Sequence, residues 1–254
     1  MRSWKVQSSV FGVAGRARDL VLDTVFPPQS LLTGRAVTAG EEEGELWASV
    51  TFLDDPCCLT CGFPFEFNEG RNALCGRCAA RRPAYDRMRS AMRYDDSSRK
   101  LVLDFKHGGR TAGLRVFAGH MRRAGRDILP SADMLIPVPL HPKRLRARRY
   151  NQSALLCRAI DKRRFDPDVL VRTKNTVSQG GQTVSGRRRN VSGAFAVRTG
   201  AAARLRGKRC VLIDDVFTTG ATLESCARAL KKGGAKSVDA ITLARVVKAQ
   251  SVPT

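Results

Sequence analysis

One stretch constrains this chain more than any other: Arg209-Cys-Val-Leu-Ile-Asp-Asp-Val-Phe-Thr-Thr-Gly-Ala-Thr-Leu223. An apolar strand runs into two adjacent acids, a loop of small and hydroxyl residues follows, and a helix begins. Strand alternation sends Asp214 and Asp215 to opposite sides of the chain. The reading places both acids where the strand ends, and open α/β sheets bind ligands outside the carboxyl ends of their strands. Thr218, Thr219, Gly220, Ala221 and Thr222 then offer backbone N–H groups and hydroxyls at a helix N-terminus, where the helix dipole favours a phosphate. Gly220 allows close approach of the backbone. The acids would repel that phosphate, so their natural partners are ribose hydroxyls or a magnesium ion carrying them. An ordinary capped Asp-Asp turn is a poor alternative, because many independent features coincide. Nor is this a Walker A loop, which needs Gly-Lys-Ser/Thr after a four-residue gap.

From Met88 onward apolar strands alternate with helical patterns, which is the rhythm of a parallel α/β sheet. Strands are expected near Ser90–Tyr94, Met134–Val138, Val169–Arg172, Cys210–Asp214 and Val238–Ala244. Helices fit Ser98–Lys106, Gly113–Arg126, Gln152–Lys162 and Thr222–Lys232, the last closed by Gly233 and Gly234. Upstream, Val10–Phe26 fits an amphipathic helix stopped by Pro27 and Pro28.

The middle strand leads into a basic loop. In Leu135-Ile-Pro-Val-Pro-Leu-His-Pro-Lys-Arg-Leu-Arg-Ala-Arg-Arg-Tyr-Asn-Gln152, prolines end the strand, and Lys143, Arg144, Arg146, Arg148 and Arg149 follow. Arginine forks bind phosphate oxygens in pairs and lysine acts as a point charge. A loop at the same sheet end as the acids therefore suits pyrophosphate for some of the five. The others face solvent or DNA.

A separate unit precedes the sheet. Cys58-Leu-Thr-Cys61 and Cys75-Gly-Arg-Cys78 have the C-x2-C…C-x2-C spacing of a zinc ribbon, with Gly62 and Gly76 at the turns. Four thiolates around one ion make a closed, structural site. Cys57 stands beside Cys58 as an alternative ligand, but the two-residue gap favours Cys58. Cys157, Cys210 and Cys226 read as small core residues.

Three of these features resemble a known family. Val211–Leu223 looks like the phosphoribosyl pyrophosphate (PRPP) signature of type I phosphoribosyltransferases. The run from Pro137 to Pro142, with Arg148-Arg-Tyr-Asn-Gln152, is similar to the ComF family of competence-associated proteins, and so is the leading cysteine module. Phe105-Lys-His-Gly108 and Arg172-Thr-Lys-Asn-Thr-Val-Ser-Gln179, followed by Arg187, Asn190 and Gly193-Ala-Phe195, agree with it. The resemblance spans roughly residues 20–247.

It implies an α/β, type I phosphoribosyltransferase fold, a mostly parallel sheet flanked by helices, preceded by a small zinc-ribbon domain. Asp214 and Asp215 would hold the ribose and position it for catalysis, and Thr218–Thr222 its 5′-phosphate. Lys143, Arg144, Arg148 and Arg149 would take the pyrophosphate, with magnesium accompanying PRPP. The segment carrying Arg172, Lys174 and Gln179 would close over the site, with glycines at 180, 181 and 186 permitting motion; an ordinary exposed linker is an equal alternative. ComF resemblance also implies a link with DNA uptake and its machinery.

One departure stands out. ComF-like proteins often carry a second cysteine set upstream. Here Ser30-Leu-Leu-Thr33-Gly34 runs parallel to Cys58-Leu-Thr-Cys61-Gly62, with no cysteine or histidine in 35–56. A degenerate first ribbon, held by the packing of Phe26, Leu31, Leu46, Trp47, Val50 and Phe52, is expected. The division becomes residues 1–83, with the intact ribbon at 57–80, and a phosphoribosyltransferase-like domain at 84–254.

Composition bounds the function. A net charge of +22 favours polyanionic partners. No apolar stretch approaches the ~20 residues of a membrane span, and the N-terminus lacks a signal peptide's apolar core. A cytoplasmic protein is expected, in which paired cysteines mean metal. Three readings follow: pentosyl transfer from PRPP, a PRPP- or nucleotide-sensing module without turnover, and a single-stranded DNA binder. Stacking on single strands needs aromatics among the basic residues. Only 6% of the chain is aromatic, and Tyr150 alone flanks the basic loop.

Overall fold

Strands this apolar are buried on both faces and need cover on each side. The computed structural model describes residues 47–70, 72–107, 113–174 and 193–247. In it, four parallel strands form the central sheet: β1 (Met88–Arg93), β2 (Met134–Pro137), β5 (Arg209–Phe217) and β6 (Ser237–Arg245), in the order β1-β6-β5-β2. Leu135 pairs with Val211 and Leu212 with Ala240, so β5 lies between β2 and β6.

Alternation along β5 divides the core. Val211 and Ile213 join one buried cluster with Leu101 and Phe105 of α2 (Asp96–His107), Phe117 and Met121 of α3 (Leu114–Ala124), and Leu156 and Ile160 of α5 (Gln152–Ile160). Cys210 and Leu212 join the other, with Leu223, Cys226 and Leu230 of α7 (Ala221–Lys232), Leu205 of α6 (Ala202–Leu205) and the four cysteines of the ribbon. The ribbon, which includes α1 (Gly76–Ala80), is thus built into one face of the sheet.

Both sheet edges are covered, which prevents open-edge pairing. Along β1, Leu53 N–H donates to Ala91 O at 3.0 Å and Arg93 N–H to Thr51 O at 2.8 Å. Trp47 and Phe52 continue from there onto His120 of α3, with centroid distances of 5.1 and 4.4 Å. Along β2, Leu135 N–H donates to Arg164 O at 2.8 Å.

Two elements differ from expectation. The strand at 169–172 is β3 (Leu170–Arg172), and it does not enter the main sheet. It pairs antiparallel with β4 (Phe195–Val197), Arg172 opposite Phe195. Three residues are too few to display a period of two, so β4 leaves no signal in the sequence. The basic loop also proves to be helical over α4 (Pro142–Arg148). Pro142 suits the first helical turn, and His141 Nδ1 caps it by accepting from Lys143 N–H at 3.2 Å. The helix ends at Arg149, the single non-glycine residue with positive φ (64°) among the described residues.

No helix among the described residues is long and apolar enough to cross a membrane. The expected helix Val10–Phe26 and the degenerate ribbon around Ser30–Gly34 lie outside the described residues. Trp47, Val50 and Phe52, expected to hold that segment, pack on the α3 side of the sheet.

Candidate functional site

The acids sit at the carboxyl edge of the sheet, though not at the end of their strand. Pairing of β5 with β2 runs to Ile213 opposite Pro137, and Val138 N–H donates to Ile213 O at 2.9 Å. Pairing with β6 continues to Phe217 opposite Arg245. Asp214 and Asp215 therefore lie where β5 has lost one neighbour and kept the other. Such a step at the strand ends is where open α/β sheets hold ligands.

Both acids are half-buried. Asp214 Oδ1 accepts from the Ser153 hydroxyl at 2.9 Å and from Asp215 N–H at 3.0 Å. Asp215 Oδ1 accepts from Val216 N–H at 2.6 Å. Ser153 was missed from the sequence. Its signal was the helix start Asn151-Gln-Ser directly after the basic run: Asn151 Oδ1 caps α5 by accepting from Ser153 N–H at 3.0 Å, and its Nδ2 donates to Val138 O at 3.0 Å. Those two bonds tie the start of α5 to the end of β2 and aim Ser153 at Asp214.

The loop after β5 is a helix start capped by glycine. Gly220 is the N-cap of α7 with φ 76°, and it has no side chain with which to cap the first-turn N–H groups. An arrangement of this kind leaves those donors to an anion. Gly220 and Ala221 are buried, Thr219 and Thr222 half-buried, and Thr218 exposed. A Cβ at Gly220 would stand 2.7 Å from Phe217 Cε2, so glycine is required by space as well as by φ.

The basic residues divide. Lys143, Arg146 and Arg149 are exposed on or just after α4. Because β2 and β5 are parallel, α4 leaves the sheet at the same edge as Asp214. Arg144 and Arg148 fall within α4, and their side chains lie outside the described residues. Lys174 is exposed just beyond β3, and a Cβ built on Gly193 would be 3.6 Å from its Nζ. Gln179 lies outside the described residues. Arg172 is 8% exposed, with its guanidinium carbon 5.2 Å from the centroid of the Phe195 ring. It packs the β3–β4 pair together.

The cysteine module is assembled. Cys58, Cys61, Cys75 and Cys78 bring their Sγ atoms within 4.8 Å of one another, all buried. A zinc ion with four thiolates at ~2.3 Å sets neighbouring sulfurs ~3.8 Å apart, and Cys61 and Cys75 Sγ lie 3.5 Å apart. The donor set fits zinc. Hydrogen bonds from the three other thiols hold Cys58 below the ordinary thiol range. Cys57 is outside the cluster: burial pushes its thiol up to about 11, and it points to Asp55 Oδ1 at 3.4 Å. Gly62 takes φ 60°, and a Cβ there would meet Met88 O at 2.6 Å. Gly76, by contrast, opens α1 without a positive φ.

Comparison with known proteins agrees with this geometry. The Phosphoribosyl transferase domain family matches residues 156–253, a span that includes the acids and the loop. The chain is 29% identical to DNA utilization protein YhgH of Escherichia coli O6:H1 over 204 residues, 76% of this chain and 86% of that protein. It is 30% identical to competence protein F of Haemophilus influenzae over 198 residues, 75% of this chain and 85% of that protein. The chain belongs to the ComF family. Among solved structures it is similar to glutamine PRPP amidotransferase from B. subtilis complexed with ADP and GMP, at 17% identity and TM-score 0.36, covering 56% of this chain and 30% of that one.

In this ComF chain the ribbon and the loop after β5 are physically joined. Arg245, at the end of β6, is 3% exposed. Its Nη1 donates to Cys61 O at 2.6 Å. Its guanidinium carbon lies 5.5 Å from the Phe63 centroid in the ribbon and 5.0 Å from the Phe217 centroid at the loop. A buried guanidinium needs such partners to offset its lost hydration. Nothing in the motif spacings announced this link.

Proposed function

We propose that this chain binds PRPP with magnesium as a phosphoribosyltransferase-like protein serving DNA uptake. The observation that carries the reading is the pair Asp214–Asp215, at the step where β2 ends and β5 continues, directly before a glycine-capped helix. Asp214 and Asp215 hold the ribose hydroxyls, with Ser153 orienting Asp214. The loop Thr218–Thr222 anchors the 5′-phosphate. Lys143, Arg144, Arg148 and Arg149 receive the pyrophosphate, and Lys174 and Gln179 approach from the segment between β3 and β4. Magnesium, when bound, screens the pyrophosphate charge. Preorganised charge of this kind stabilises a departing pyrophosphate, which suits pentosyl transfer. The domain division at 83/84 and a cytoplasmic setting belong to the same reading. The link to DNA follows the names of the relatives, a DNA utilization protein and a competence protein.

Calorimetry tests the site. PRPP should bind more tightly with magnesium than without. The double substitution Asp214→Asn, Asp215→Asn should weaken binding at least tenfold while the fold, followed by circular dichroism, is retained. Unchanged affinity would remove the ribose assignment. Pyrophosphate release over a panel of bases then separates an enzyme from a sensing module.

Net charge favours a second reading. With +22 on the chain and Lys143, Arg146 and Arg149 exposed, single-stranded DNA should bind through its phosphates, independent of sequence. Each phosphate neutralised should steepen the log–log salt dependence by ~0.7. Saturating PRPP should displace the DNA if α4 serves both. A flat salt dependence would remove this electrostatic mode, and undiminished binding at saturating PRPP would place the DNA on another face.

A further inference from the structure

We propose that the zinc ribbon supplies an arginine, Arg77, to the 5′-phosphate subsite, so that the ribbon is part of the ligand site. The inference rests on the reading of Thr218–Thr222 as the phosphate loop. Arg77 lies inside Cys75-Gly-Arg-Cys78, so ligand cysteines fix its backbone on both sides. Its guanidinium carbon is 5.8 Å from the centroid of Phe217, and its Nη2 would stand 3.1 Å from a Cβ on Gly220. One end of the side chain is thus held by the cysteine cluster while the other lies beside Phe217 and Gly220 of the loop.

The charges around the loop support a ligand role. Glu224, in the first turn of α7, would oppose an anion there. It is neutralised instead, by Arg81 at 3.0 Å and by Arg228. Arg81 directly follows α1, so a second ribbon-side arginine prepares the same helix start. Arg77 is half-buried, yet among the described residues no carboxylate or carbonyl accepts a hydrogen bond from its side chain. A guanidinium carries five donors in a fork that fits phosphate oxygens. The remaining structural role for Arg77 is to balance the negative charge of four thiolates on zinc, and the experiment separates the two.

The zinc-loaded full chain is titrated calorimetrically with ribose 5-phosphate and, separately, with pyrophosphate. In Arg77→Gln, affinity for ribose 5-phosphate should fall about tenfold, the loss of one charge-assisted hydrogen bond. Pyrophosphate affinity and zinc content should stay unchanged, and Arg77→Lys should recover part of the loss. Wild-type affinity for ribose 5-phosphate in Arg77→Gln overturns the proposal. So does an equal loss for both probes, or a loss of zinc, which assigns Arg77 to the metal alone. If the wild-type chain binds pyrophosphate but not ribose 5-phosphate, the phosphate-loop reading fails first, and the inference with it.

Discussion

Replacing Cys61 with serine should release the zinc and unfold more than the ribbon. The purified chain should carry one zinc ion, matching the one cluster of four thiols among the described residues. Structural zinc contributes on the order of 10 kcal/mol to folding in isolated zinc-finger peptides, comparable to the whole stability of a typical domain. Here the thiols are not on an outlying knob. They share a buried cluster with Met88, Leu212, Phe217 and Leu223. Cys61 O also accepts from the buried Arg245, so disturbing this knuckle leaves a guanidinium without its acceptor beneath the loop that follows β5. We expect a fall in Tm of well over 10 °C, together with loss of PRPP binding. Cys57→Ser is the control. Its thiol faces Asp55 outside the cluster, and zinc should be retained. Elemental analysis decides the matter: zinc retained in Cys61→Ser would overturn the ligand set, and two zinc ions in the wild-type chain would mean that the upstream segment recruits ligands of its own.

What the sequence revealed, and what it hid, follows from how local each feature is. The strand–acid–loop–helix unit at 209–223 is consecutive in the chain, so its order alone placed Asp214 and Gly220. The C-x2-C pairs are local in the same sense. The strand at Leu170–Arg172 was legible but its partner was not, because strand pairing is a nonlocal choice. Leu170–Arg172 has the composition of a sheet strand, but its partner Phe195–Val197 is distant in the chain and too short to show a period. The basic run was read as a loop because prolines precede it, although Pro142 at the first turn favours a helix. Least legible were the contacts that join separate motifs: Ser153 on Asp214, Arg245 between Phe63 and Phe217, and Arg77 against Gly220. Each joins residues from separate stretches of the chain, and no spacing within a motif encodes it.

Gly220→Ala should abolish tight binding at the loop while leaving most of the fold in place. Two costs coincide at this position. The backbone is left-handed, with φ 76°, where a Cβ costs ~1–2 kcal/mol. The new methyl would also stand 2.7 and 2.9 Å from Phe217 Cε2 and Cζ, and 3.1 Å from Arg77 Nη2. Arg77 can swing aside, since it is half-buried at the surface. Phe217 cannot: it is 2% exposed and packed against Arg245. The loop backbone must therefore shift, and a displacement of ~1 Å in a positioning group can cost about a hundredfold. Ribose 5-phosphate affinity should fall at least tenfold, and Tm by several degrees. Gly200→Ala isolates the backbone strain: its φ is 84°, yet nothing lies within 4 Å of the new Cβ. That variant should lose comparable stability from strain alone and keep its affinity. Equal affinities in Gly220→Ala and the wild type would show that the loop tolerates the methyl and that Gly220 is there for the turn rather than for the ligand.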